Sequence, residues 1–412
     1  MIPLALLWAV PTRAGGASEP LPAFDDHFLP KGMRIDLVHT GTATRDEYAL
    51  DAVREEPFWG GPYGRLVGLP DHGKHRVSVL DPASGRLLFR QGYSSLFAEW
   101  QTTDEAISGA VRALEEAVRF PYPKAPVDVV VATRAADGTW HDAWKLRVDP
   151  ASHLVDRERR FAGLQVIDLA VAGPPETTVD VLILGDGYTD AEAEKFARDA
   201  RRFARVFLET EPFRELRDRF SLRAIRAPSR ESGPDEPRRG VFRDTGLSST
   251  FNTFDSARYL TSGRSRDFRD VAALAPYDTI FMLVNTSRYG GGGIFGLYAV
   301  FPSDNEYDEY VFVHEFGHGF GGLGDEYFTS SVAYSDFYPR GVEPWEPNVT
   351  ALLPGRPLKW IGRVTQGVPV PTPADATRFG GAVGAFEGAG YAAKGLYRPS
   401  LDCKMFSQGN QG

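Results

Sequence analysis

The stretch best equipped for chemistry is His314-Glu315-Phe316-Gly317-His318, which runs on through Gly-Phe-Gly-Gly-Leu-Gly to Asp325-Glu326-Tyr327. Residues four apart share one face of a helix. His314 and His318 can therefore offer two imidazole nitrogens to one metal ion while Glu315 stands beside them. That layout suits hydrolysis: a divalent metal polarises a carbonyl and acidifies bound water, and a neighbouring carboxylate takes the water proton and delivers it to a leaving amine. A purely structural metal would need no such base.

The elements that must position these residues are legible around them. Ser303-x-x-Glu306 predicts a capping box at the start of a helix. Tyr307, Val311, His314, His318 and Gly321 then follow one continuous stripe. Gly321-Gly322 predicts the stop, because two glycines allow a left-handed cap and a turn that swings the next residues back toward the metal. Upstream, Tyr277–Val284 reads as a strand, Gly290 to Gly293 as a loop or close backbone approach, and Ile294–Phe301 as another strand. A strand at that place could pair with an extended substrate, or could be an internal strand behind a glycine hinge.

A catalytic zinc takes three protein ligands and keeps a position for water. The chain has 8 histidines, and none follows His318. A third histidine could come only from before residue 154, so a carboxylate is the economical choice. In the gluzincin pattern it is a helical glutamate downstream, but Glu343 and Glu346 lie in Glu-Pro-Trp-Glu-Pro, where proline disfavours helix. In the metzincin pattern the ligand follows a glycine turn. Gly321 occupies that turn, the expected ligand position falls on Gly324, and Asp325 comes one residue later.

The rest of the chain divides in two, as 412 residues suggest. After a leader at 1–20, residues 21–172 carry strand signals such as Arg76–Leu80, Arg86–Arg90 and Val127–Ala132, separated by turns at 81–85 and 136–138. They predict an antiparallel β-sandwich with a hairpin over 76–90. His39, His72, His75 and His141 fall there as turn or surface residues without ligand spacing. Residues 173–412 begin, after Pro174-Pro175, with strand Val179–Leu184, a Gly185-Asp-Gly-Tyr188 turn and a capping box at Thr189–Glu192 opening a helix through Leu208. Asp186 reads as a turn or helix-entry residue, since this turn lacks the third glycine and the lysine of a nucleotide-binding loop. The fold class is α+β.

Composition excludes several partners. Hydrophobic residues make up 42% and charged residues 25%, with net charge −9 and no long basic run, so neither nucleic acid nor an anionic membrane is expected. The single cysteine, Cys403, cannot form an internal disulfide. Ile2–Val10 is apolar and is followed by Ala14-Gly-Gly-Ala17, resembling a secretory signal without its basic start and too short to span a bilayer. A secreted or periplasmic location follows as the expectation. The Asn348-Val-Thr350 sequon has meaning only in a glycosylating host.

The run HEFGHGFGGLGDEY, with GDGYT at 185–189, GVEPWEPNVT at 341–350 and FEGAGYAAKGLYRPSLDCKM at 386–405 behind a β-rich first half, resembles the IgA-peptidase family of zinc metallopeptidases. The resemblance implies a metzincin-like α/β zinc peptidase domain after the sandwich, acting on a protein or peptide substrate. It implies Zn2+ held by His314, His318 and an aspartate, with Glu315 as catalytic acid/base. That aspartate maps to Asp325 ahead of Glu326, because a carboxylate in the turn can replace the metzincin histidine. It also makes Met405 a soft apolar floor under the metal. Tyr391 or Tyr397 could supply a phenol to a developing oxyanion, although core packing would use either as well. Two other functions share these residues: a metal-stabilised binding module, against which the intact Glu315 argues, and a zinc amidase acting on small molecules or cell wall. Neither substrate preference nor oligomeric state is carried by the sequence.

Overall fold

A computed structural model of the chain describes residues 21–67, 71–328 and 337–408, and the leader expected over 1–20 lies outside the described residues. One helical turn, α1 (Phe24–His27), feeds β1 (Phe28–Gly41), which pairs antiparallel with β2 (Asp46–Glu56). The expected hairpin is β3 (His75–Leu80) and β4 (Leu87–Tyr93). Short helices α2 (Leu96–Trp100) and α3 (Asp104–Ile107) lead to β5 (Arg112–Pro123), β6 (Val127–Arg134), β7 (Trp140–Val148) and β8 (Val155–Asp156). These strands form two four-stranded sheets, ordered β5-β1-β2-β8 and β4-β3-β6-β7. All neighbours are antiparallel except β2 and β8, whose short contact is parallel.

Side chains alternate across a strand, so each sheet turns one set inward. Ile35, Leu37, Val118 and Phe120 of the first sheet meet Val77, Val79, Val129 and Val131 of the second in one buried cluster. The same period carries His39, Glu116 and His75 inward. His39 and His75 are therefore buried, and their expected place at turns or on the surface is corrected. His72 lies in irregular backbone before β3, near the rings of Phe295 and Trp345, and His141 is exposed on β7.

The second half is built on a six-stranded sheet. Its strands are β9 (Val166–Ala170), β10 (Val179–Asp186), β11 (Phe220–Arg226), β14 (Thr279–Val284), β15 (Gly292–Ile294) and β16 (Tyr298–Pro302), with β12 (Ser249–Thr250) and β13 (Thr261–Ser262) forming a separate small pair. The order is β15-β16-β14-β10-β11-β9: the four central strands are parallel, and both edges run antiparallel. β9 thus belongs to this sheet, although it precedes residue 173. The Thr189–Glu192 capping box forms and leads into α4 (Ala193–Glu209). α4 and α6 (Asp308–Gly319) cover one face, burying Phe203, Phe207, Phe312 and Phe316 against Ile183 and Phe281. α5 (Ser265–Ala272) covers the other, where Phe268 and Val271 meet Leu182 and Met282. A short helix, α7 (Ala376–Phe379), and the hairpin of β17 (Phe386–Ala389) and β18 (Ala392–Arg398) complete a mixed α/β chain of many strands and few helices.

Three local expectations are corrected. The strand expected over 294–301 is broken into β15 and β16, because Gly296 takes a left-handed φ of +71° and turns the chain between them. The capping box at Ser303 and Glu306 does not form. The Ser303 hydroxyl donates to Asp304 instead, and α6 starts at Asp308, whose carboxylate is gripped by Arg202 of α4 at 2.7 and 3.1 Å. Asp186 is no simple turn residue: buried, it accepts from the backbone N–H groups of Leu247 and Ser249, both at 2.9 Å, and so anchors a distant loop.

The two halves meet at the end of α6. The N–H of Ser94, just past β4, donates to Phe295 O at 2.7 Å, in the turn between β15 and β16.

Candidate active site

On α6, His314 and His318 stand one turn apart with their Nε2 atoms 3.1 Å from each other. Each ring is fixed from behind. His314 Nδ1–H donates to Lys404 O at 2.9 Å, and His318 Nδ1–H donates to Leu323 O at 2.6 Å. With Nδ1 carrying the proton, each Nε2 presents a lone pair. Asp325 Oδ1 closes the triangle, 3.1 Å from His314 Nε2 and 3.3 Å from His318 Nε2.

These separations fit a metal ion. A tetrahedral ion with bonds of about 2.0–2.2 Å sets its ligand atoms about 3.3–3.6 Å apart. Among the described residues Asp325 Oδ1 is buried without a hydrogen-bond donor, so three ligand atoms converge on one point. The electrostatics agree. Without an ion the site draws a proton in its place: burial alone would depress His318, yet the Asp325 and Glu315 carboxylates raise it to about 10, while burial of Asp325 is overcome by the two histidines, which hold it well below the usual carboxylate range. His314, His318 and Asp325 form a group able to hold a cation.

The turn after α6 decides which acid faces inward. α6 ends at Gly319, and Gly322, at a φ of +62°, reverses the chain, its N–H donating to His318 O at 3.1 Å. Asp325 then points at the histidines, with Oδ2 accepting from the Tyr391 hydroxyl at 2.5 Å. Glu326 points the other way: Asn348 Nδ2 and Cys403 Sγ donate to its carboxylate at 2.9 and 3.1 Å. Asn348 also bonds both the N–H and the C=O of Gly324 at 2.8 Å, so the sequon asparagine is buried and fully engaged.

Glu315 is buried beside the pair, and burial raises its carboxyl although His314 and His318 pull it back. The glycine run explains itself here. A Cβ at Gly291 would lie 2.6 Å from Glu315 Oε1, and one at Gly293 would lie 2.7 Å from His318 Cβ. Edge strand β15 can thus lie against α6 only without side chains at those positions. Below, Met405 Sδ would sit 2.7 Å from a Cβ on Gly317, and Met405 O accepts from Glu326 N–H at 2.9 Å. Of the two tyrosines, Tyr391 reaches the site, whereas Tyr397 packs with Leu358 and Trp360.

A cleft of about 580 Å³ opens over these residues, walled by β15, α6, Phe337–Glu346 and Tyr391, and by Lys74, Ser95 and Arg134 from the first half. Two cleft residues carried no signal in the sequence: Arg258, which donates to the Tyr327 hydroxyl at 3.1 Å, and Glu346, set aside above for its prolines but buried in the cleft wall. Only Tyr327, adjoining Asp325-Glu326, could have been found by proximity in the chain.

The buried His39, His75 and Glu116 also lie close enough to hold an ion. Their polar atoms are already engaged. His39 Nδ1 and Nε2 face Glu116 and Asp46 at 2.7 and 3.2 Å, His75 Nδ1 faces Thr133 at 3.2 Å and His75 Nε2 faces Ser95 at 3.3 Å, and Tyr93 donates to Glu116 at 2.6 Å. Against the penalty of burial, the partners raise His39 and lower Glu116 to about 2, whereas burial lowers His75 to about 4. This is a closed ion-pair network, unlike the three lone pairs that converge beside α6.

The sequence family described as IgA Peptidase M64 matches residues 167–380 and 374–411, and that described as Peptidase M64 N-terminus matches residues 23–145. No curated protein matches the chain.

Proposed function

The chain belongs to the M64 family of IgA peptidases and is a metallopeptidase; from that premise we propose that it is a zinc-dependent endopeptidase whose metal is held by His314, His318 and Asp325. The observation that carries this reading is the convergence of two imidazole lone pairs and an orphaned carboxylate oxygen at 3.1–3.3 Å, beside a buried glutamate. Zinc, when bound, polarises the scissile carbonyl and brings water toward ionisation at neutral pH.

The chain's own residues do the rest. Lys404 O and Leu323 O orient the histidine rings, and Tyr391 fixes the Asp325 carboxylate through Oδ2. Glu315 takes the water proton at a carboxylate oxygen and passes it to the leaving amine; its raised affinity for a proton suits the carrier between those steps. β15, at the sheet edge over α6, offers backbone to an extended peptide. A cleft walled by both halves suits the interior of a protein or peptide chain rather than a small amide.

In this reading residues 21–172 are a β-sandwich domain and 173–412 a metzincin-like catalytic domain whose sheet takes in β9. Export through the leader, to a secreted or periplasmic location, belongs to the same proposal. Among the described residues no helix is long and apolar enough to cross a membrane. The test is Glu315→Gln: zinc content measured by elemental analysis stays at the wild-type level, while peptide cleavage falls by about 10²-fold or more. Normal cleavage by that variant would sink the mechanism.

A further inference from the structure

Glu346 has a place in the cleft that the reaction above does not use. It is 3% exposed, lines the same cleft as His318, and its Oε2 has no hydrogen-bond partner among the described residues. The Tyr338 hydroxyl hydrogen-bonds to the Glu346 carboxyl, and among the described residues the two nearby cations are committed to other partners. The ammonium of Lys359 is held by the Glu343 carboxylate at 3.2 Å and by the carbonyls of Pro344, Glu346 and Val349. The Arg134 guanidinium is held by the carbonyls of Gly73 and Asp71 and stacks on Trp140, 4.2 Å from the ring centroid.

Leaving one oxygen of a buried carboxyl without a partner is costly. The recess around it is aromatic: Trp345 lies 5.6 Å from Phe295 between ring centroids and 6.5 Å from His72, and Tyr338 closes the side next to Gly324. Aromatic faces with a carboxylate among them complement an ammonium or guanidinium, whose charge the ring quadrupoles and the acid both stabilise.

Resting on the peptidase reading, we propose that Glu346 is a specificity residue, forming the acidic base of a subsite that takes a lysine or arginine side chain of the substrate close to the scissile bond. Burial pushes the empty carboxyl up to about 7, against the pull of its hydrogen bonds, Lys359 and His318. An arriving cation would supply the missing countercharge.

The experiment uses the zinc-loaded full chain and a set of fluorogenic peptides in which arginine or norleucine is moved one position at a time. Wild type is expected to favour arginine at one position by at least about tenfold in kcat/KM, and Glu346→Gln to bring the arginine-to-norleucine ratio of kcat/KM down toward one. A wild type indifferent to arginine, or a variant equally weakened on both peptides, overturns the proposal. Failure of the peptidase reading would silence every cleavage arm, so the same peptides, fluorescently labelled, are also titrated onto Glu315→Gln protein. Tighter binding of the arginine peptide, lost in the Glu315→Gln/Glu346→Gln variant, upholds the subsite; equal binding overturns it.

Discussion

The Tyr391 hydroxyl donates to Asp325 Oδ2 at 2.5 Å, while Oδ1 of the same carboxylate faces both imidazoles. The phenol therefore sets the angle at which the carboxylate meets the metal position. Tyr391 is itself held in the left-handed region, at a φ of +64°, with its N–H donating to Tyr327 O at 2.9 Å. Such backbone strain persists only where surrounding structure imposes it. Tyr391→Phe should lower zinc affinity by about tenfold, as loss of a ligand-orienting hydrogen bond does, with metal content restored at saturating zinc. A competition titration against a chromogenic chelator measures it. Unchanged affinity would remove the orienting role.

Asp325 and Glu326 are adjacent acids with opposite assignments. On the proposed assignment Asp325→Ala should lower zinc affinity by more than about 100-fold, because it would remove a ligand rather than a ligand's support. Glu326→Ala should leave zinc content near wild type. It should instead lower stability by about 1–3 kcal/mol, since Asn348 Nδ2 and Cys403 Sγ lose a buried acceptor. Elemental analysis and urea unfolding of both variants separate the two roles. Loss of metal from Glu326→Ala alone would exchange the assignments.

The glycine strand makes a steric prediction. At Gly293 a Cβ would come within 2.7 Å of His318 Cβ and 2.8 Å of Glu315 O, and neither the helix backbone nor a metal-site ring can yield. Gly293→Ala should push β15 off α6, reducing cleavage and destabilising the chain by about 1–3 kcal/mol. Gly362→Ala is the control. Nothing lies within 4 Å of a Cβ there, so the change should stay within about 0.5 kcal/mol. Equal behaviour of the two variants in thermal unfolding and peptide cleavage would mean that the close approach of β15 is not needed.

What could be read from the sequence was whatever is local in the chain. His314, Glu315 and His318 lie within five residues on one helix, so spacing alone brings them together, whereas Asp325 was set ahead of Glu326 only by the family resemblance. The 75–93 hairpin and the Thr189–Glu192 capping box are local for the same reason. The start of α6 misled because Ser303 and Glu306 fit a capping pattern, whereas the helix entry is set by Arg202, about a hundred residues away in the chain. His39 and His75 looked like turn residues because their burial depends on two sheets closing over one another. Tyr391 and Tyr397 were indistinguishable until the β17–β18 hairpin aimed only one at Asp325. Glu346 was judged as a helical ligand, when its position concerns the cleft wall.

The buried network of His39, Glu116 and Asp46 makes stability depend on pH with a definite sign. Glu116 is lowered to about 2 from an ordinary value near 4.5, so its contribution is complete above about pH 4.5 and is lost as pH falls toward 2. Asp46 is lowered too and adds to the same acid limb. His39 is raised, so its contribution is complete below about pH 6.5 and is lost as pH rises through its folded value. The two limbs describe one coupled pair and are not summed. Both are whole between about pH 4.5 and 6.5, a window in which the buried His75, lowered to about 4, adds its own loss of stability as pH falls in wild type and variant alike. Glu116→Gln keeps the shape and an acceptor for Tyr93 but leaves His39 with only Asp46. It should destabilise the chain by about 3–5 kcal/mol on that plateau, as breaking a buried pair does. The deficit relative to wild type should shrink as pH falls to about 3, where the wild-type advantage is being titrated away. Urea midpoints of both proteins across that range provide the test, and a deficit independent of pH would mean that the network is held by hydrogen bonds without charge.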